Sequence, residues 1–209
     1  MKKLNFNIVL LGMIASGKDT QAKFLMKKYA LKPVESGKHW REIMKEKSAD
    51  GDWIRRTMGK GHPAPVALMK KFLVQEIAKK PKNKDLLFVG NPRLKPEAQL
   101  LKKLFEEKKQ NFFALYVTLP EKEVYKRSLN RTIATTSLKI KQTKDKRNLD
   151  DKEDVIARRI AWHTNQVGKT VKYFQSLKKL KIINGKQTVP NVTKDILKAI
   201  EGYKKIIEN

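Results

Sequence analysis

The 209-residue chain contains no cysteine. That excludes disulfides and cysteine-ligated zinc. Histidine is nearly as scarce: His39, His62 and His163 are the only three, and they lack metal-site spacing. Apolar runs are short, and none approaches the roughly 20 residues that span a bilayer. A cytoplasmic protein without membrane contact is expected. The start, Met1-Lys2-Lys3 followed by apolar residues, imitates a secretion signal. It leads directly into a glycine loop, however, and reads as a first strand. Acids are few: 21 against 48 basic residues, for a net charge of +27. Such a field concentrates polyanions, so nucleotides and, non-specifically, nucleic acid are expected partners. The charge is spread along the chain, which also suits a plain solvated surface. Arginine is scarce within this excess, nine residues among the 48. A chain that otherwise uses lysine should place arginine where a planar fork is needed, on phosphate or carboxylate. The length suffices for one domain with a sizeable core and small inserted lobes.

Asn7 to Gln21 organises the rest. Ile8 to Leu11 is a continuous apolar run, as in a parallel strand covered on both faces. Gly12 and Gly17 allow a tight turn whose N–H groups point inward at an anion. Lys18 adds a mobile positive charge, and the helix that follows aims its N-terminus at the same place. Gly12, Gly17 and Lys18 fit the G-x-x-x-x-G-K-[ST] phosphate loop. Asp19 holds the Ser/Thr position and Thr20 comes one residue late.

This stretch resembles the G-x-P-G-S-G-K-G-T-Q loop of adenylate kinases and related nucleoside monophosphate kinases, departing from it at Ile14, Ala15 and Asp19. Two more segments follow in family order and spacing. Ser36-Gly37-Lys38-His39-Trp40-Arg41 resembles S-T-G-D-x-x-R, and Gly90-Asn91-Pro92-Arg93 resembles the end of D-G-F-P-R. Further along, Arg127 to Arg131 is similar to D-R-x-x-x-R at the lid's edge, and Asp150 to Arg159 to the motif that closes the lid. Arg147 stands one residue off its family place.

The resemblance implies an α/β phosphate-loop fold of three layers, with a five-stranded parallel sheet. It divides the chain into a core (1–35, 73–126 and 150–209), an acceptor-binding lobe (36–72) and a short lid (127–149). It implies transfer of the γ-phosphate of ATP to a nucleoside monophosphate by a monomer, with Mg2+ carried by the ATP and no zinc. ATP would be held by Gly12, Ala15, Ser16, Gly17, Lys18, Asp19, Thr20, Arg127, Arg131 and Gly185. The monophosphate would be held by Ser36, Arg41, Gly61, Ala64, Gly90, Arg93, Glu97 and Arg159. Lys18, Arg93, Arg127 and Arg159 would stabilise the transferred group, since phosphoryl transfer needs mainly positioning and charge neutralisation.

Three departures bear on the chemistry. Lys38 and Val89 stand where the family places acids near the metal, and Asp19 is the candidate to compensate. Glu97 replaces the glutamine that selects adenine. An ionised carboxylate only accepts hydrogen bonds, so AMP remains the default acceptor by resemblance alone. The missing acids and the high charge also suit a second reading, a nucleotide- or RNA-binding protein with weakened turnover on the same fold. A third is a phosphate-loop kinase of another small acceptor.

Overall fold

The computed structural model describes residues 1–58, 64–139 and 153–208; for 131–139 and 153–155 it describes the backbone alone. In chain order these form β1 (Phe6–Gly12), α1 (Lys18–Lys28), β2 (Leu31–Val34), α2 (Ser36–Ile43), α3 (Ala49–Met58), α4 (Val66–Ala78) and β3 (Asp85–Val89). Then come α5 (Lys95–Glu107), β4 (Asn111–Thr118), α6 (Glu121–Lys139), α7 (Glu153–Trp162), a π-helical turn (His163–Val167), α8 (Gly168–Ser176), β5 (Leu180–Asn184) and α9 (Val189–Glu208). No described helix is long and apolar enough to cross a membrane.

The five strands form one sheet in the order β2-β3-β1-β4-β5, and every pair is parallel. This is the expected three-layer α/β architecture. β1 lies at the centre, with Ile8 opposite Leu87 and Phe113. Side chains alternate across a strand, so β1 serves two cores. Val9 and Leu11 pack with Leu73, Leu101, Phe105 and Phe174 on one face. Phe6, Ile8 and Leu10 pack with Leu25, Ile196, Ile200 and Tyr203 on the other. Burial on both faces is why these strands read as unbroken apolar runs.

Polar side chains tie the strand starts together. Asn7 is buried; its Oδ1 accepts from the Leu86 N–H, and its Nδ2 donates to Gln110 Oε1. Asp85 Oδ2 accepts from the N–H groups of Leu4 and Asn5 at 2.9 and 3.0 Å.

Two helices end in the same way. In α5 the Gln110 N–H reaches Phe105 O and the Lys109 N–H reaches Glu106 O; after α8 the Lys179 N–H reaches Phe174 O and the Lys178 N–H reaches Gln175 O. This paired pattern requires a left-handed residue, which is usually glycine. Here Lys109 (φ 48°) and Lys178 (φ 53°) occupy it. A side chain in that conformation costs about 1 kcal/mol.

The helix α6 runs to Lys139, into the stretch that the resemblance assigns to the lid. Between α7 and α8 the chain passes through the π-helical turn, a feature that propensity does not encode.

Candidate active site

The strand-to-helix loop is built around two left-handed residues, Ala15 (φ 57°) and Gly17 (φ 84°). The Met13 N–H donates to Val117 O, the Ser16 N–H to Met13 O, and the Gln21 N–H to Gly17 O. Gly12 permits the close approach: a Cβ there would lie 2.5 Å from Ser16 Oγ and 3.0 Å from Val117 O. Ser16 is buried, and its Oγ has no hydrogen-bond partner among the described residues. Gln21 anchors the start of α1, its Oε1 accepting from Thr193 Oγ1 at 2.8 Å.

Lys18 extends from this loop across the end of β3. A Cβ at Gly90 would stand 3.1 Å from Lys18 Cε, and Gly90 has φ 69°. Glycine therefore gives the lysine stem its passage. Three residues on, Arg93 is held on three sides. Its Nε donates to Gly90 O at 3.0 Å, its N–H to Glu97 Oε2 at 2.8 Å, and its carbonyl accepts from Thr170 Oγ1 at 2.9 Å. The same Glu97 oxygen accepts from the Leu94 N–H. Glu97 is buried, and burial pushes its carboxyl up despite those hydrogen bonds.

The centre of the cluster is His163, which the sequence reading passed over. It begins the π-helical turn, four residues after Arg159, and is buried with Nε2 3.4 Å from Tyr116 Oη. Burial first, then the charges of Lys18, Arg93 and Arg159, push its pKa down to about 4. The lysine that opens α1 and two arginines from different parts of the chain thus act through their charges on one neutral imidazole. Cations gathered in a partly buried space repel one another, and an anion with several charges relieves that repulsion. The arrangement suits a polyphosphate. The available signal for His163 was its spacing: residues four apart share a helix face.

Arg127 forms a second locus. It donates to Gly185 O at 3.2 Å and faces Glu123 at 3.9 Å. Gly185 closes onto Thr118 O through its N–H at 2.9 Å. Asp19 and Thr20 are exposed in the first turn of α1. Ser36 is buried at the start of α2 and Ala64 is buried before α4, whereas Arg41 and Lys38 are exposed. Gly61 and Arg147 lie outside the described residues, as does the side chain of Arg131.

His163 makes the folded protein sensitive to acid. Between its ordinary pKa near 6.5 and about 4, the unfolded chain binds a proton that the folded chain does not. Stability is therefore complete above pH 6.5 and falls as pH falls. The loss at pH 5 should be about 2 kcal/mol from this group. Urea unfolding at pH 7 and pH 5 should show a smaller difference for His163→Phe than for the parent; equal differences would remove the assignment.

Compared with known proteins, residues 10–179 match the sequence model of the family described as adenylate kinase. The chain is 26% identical to an adenylate kinase of Fusobacterium nucleatum over 209 residues, covering 94% of this chain and 99% of that one. It is 28% identical to one from Bacteroides fragilis, covering 93% and 98%, and 29% identical to one from Flavobacterium psychrophilum, covering 93% and 97%. A family match of that extent agrees with the glycine loop, the parallel strand order and the gathered cations, and the chain belongs to the adenylate kinase family.

Proposed function

We propose that the protein transfers the γ-phosphate of ATP to a nucleoside monophosphate, giving two diphosphates, with AMP as the acceptor. It acts as a cytoplasmic monomer. The observation that carries the reading is the pairing of Lys18 and Arg93 about Gly90, the lysine stem passing its Cα and the arginine Nε donating to its carbonyl at 3.0 Å, while the charges of both and of Arg159 act on the buried His163. In this reading the loop from Gly12 to Thr20 cradles the ATP phosphates, and Ser16 Oγ has bonding capacity left for one of them. Arg127, Arg131 and Gly185 serve the rest of ATP. Ser36, Arg41, Gly61, Ala64, Gly90, Arg93, Glu97 and Arg159 serve the monophosphate. Lys18, Arg93, Arg127 and Arg159 stabilise charge on the moving group.

Magnesium arrives with ATP as part of the substrate. No three histidine or acidic side chains gather to hold a metal among the described residues. We assign the protein's carboxylate toward the cation to Asp19, which a bridging metal would attract and bare phosphate would repel. The scarcity of acids also favours the second reading, nucleotide or RNA binding with weakened turnover.

One assay separates these. ATP is incubated with AMP, CMP, UMP or GMP, and ADP release is followed across magnesium concentrations. AMP should give the fastest turnover, and Asp19→Gly should need more magnesium. ATP consumption that no acceptor raises would sink the kinase reading; an unchanged metal dependence would sink the role of Asp19.

A further inference from the structure

Each of the five strands is approached through adjacent lysines. Lys2-Lys3 precede β1, Lys27-Lys28 close α1 before β2, and Lys79-Lys80 follow α4 before β3. Lys108-Lys109 follow α5 before β4, and Lys178-Lys179 follow α8 before β5. Lys82 and Lys84 add to the third pair. Because all the strands are parallel, the pairs gather on the sheet edge opposite Gly12, Gly90 and Gly185. Neighbouring strands lie about 4.8 Å apart, so the row spans roughly 19 Å. It is knit together: the Ala30 N–H donates to Lys2 O, the Asp85 N–H to Ala30 O, and Lys3 Nζ to Lys82 O at 3.1 Å.

Acids do not cancel this row. Among the described residues only Lys80 has an acidic partner within 4 Å, the buried Asp85 at 3.5 Å, while Glu106 acts on Lys179 from further away. Elsewhere lysines are matched along their own helix, as in Lys102 with Glu106, Lys103 with Glu107 and Lys204 with Glu208. Helix C-termini attract cations, and one lysine per helix meets that need. Lys2, Lys3, Lys82 and Lys84 close no helix, and the second lysine of each pair exceeds it. Lys109 and Lys178 keep a side chain in a left-handed conformation that glycine adopts freely.

We propose that this edge binds nucleic acid through its phosphodiester backbone, without reading sequence and apart from the nucleotide site. A row of mobile ammonium groups fits a run of phosphates, and releasing their counterions drives such binding. A membrane-binding surface would expose aromatic rings beside its cations. Here the rings are buried: Tyr29 lies under Lys28 and Phe112 under Lys179. The inference does not rest on the kinase reading.

The test compares two full-length variants that each lose six charges. One changes Lys2, Lys27, Lys79, Lys84, Lys108 and Lys178 to glutamine; the other changes Lys23, Lys70, Lys71, Lys172, Lys194 and Lys198, equally exposed in helix interiors. Fluorescence anisotropy with a labelled 20-nucleotide oligouridylate is read between 50 and 200 mM salt, and thermal melting reports the fold. The edge variant should bind about 30-fold more weakly at low salt and lose about 4 from its salt slope, at about 0.7 per phosphate contact. The helix variant should stay within about threefold of the parent. Equal weakening of both variants would overturn the proposal. So would edge-dependent binding to phosphatidylserine vesicles with none to oligouridylate. As a second arm, Lys109→Gly with Lys178→Gly should raise the melting temperature and weaken RNA binding; unchanged RNA binding would count against the edge.

Discussion

Replacing Arg159 with alanine should lower kcat between about a hundred- and a thousandfold, the loss expected when one preorganised charge is removed from a developing anion. Arg159 is half-buried, and its charge reaches the same imidazole as those of Lys18 and Arg93. Groups that converge on one centre act together, so Arg93→Ala and Arg159→Ala should not be additive in the double variant. Arg93 is firmly mounted, with Gly90, Glu97 and Thr170 holding it by hydrogen bonds. Losses that simply multiply, or an Arg159→Ala enzyme within threefold of the parent, would show that the two arginines do not share a phosphate.

The second large effect lies at the other end of the sheet. Asp85→Ala should destabilise the protein by on the order of 3 kcal/mol, because two backbone N–H groups lose their acceptor. Asp85 is 1% exposed, and one oxygen serves both Leu4 and Asn5 while the other faces Lys80. Asn5 has φ 66°, so the carboxylate holds a turn that leads the chain into β1. Asp85→Asn keeps an acceptor oxygen and should lose much less. Urea unfolding measures both, and an alanine variant within 1 kcal/mol of the parent would refute the account.

The central strand and its loop were legible because their signals are local. Ile8 to Leu11 is apolar without interruption, and Gly12, Gly17 and Lys18 have a spacing that only a phosphate turn explains. The five-stranded parallel sheet followed from the family resemblance, and the final helix buries Val192, Ile196, Ile200 and Tyr203 against it. What escaped the sequence depends on distant partners. His163 is far from Lys18 and Arg93 in the chain, and no periodicity predicts that it lies within reach of their charges. Glu97 was read only as a counterpart of a base-selecting glutamine. Its use as a cap for the Arg93 and Leu94 N–H groups needs the turn before α5, which the residues alone did not specify. Asp85 is a further case, since its carboxylate reaches back about eighty residues to the Leu4 N–H, just before the first strand.

β1 pairs with β3 and with β4 and with no strand near it in sequence. A ribosome adding about 5–20 residues per second completes β1 at Gly12, then needs about 5–20 s more to reach the end of β4 at Thr118. Until Val89 is made the strand has neither neighbour, and until Thr118 one of its two edges stays unpaired. Nascent chains should therefore depend on holding chaperones until β4 emerges, and little on them afterwards.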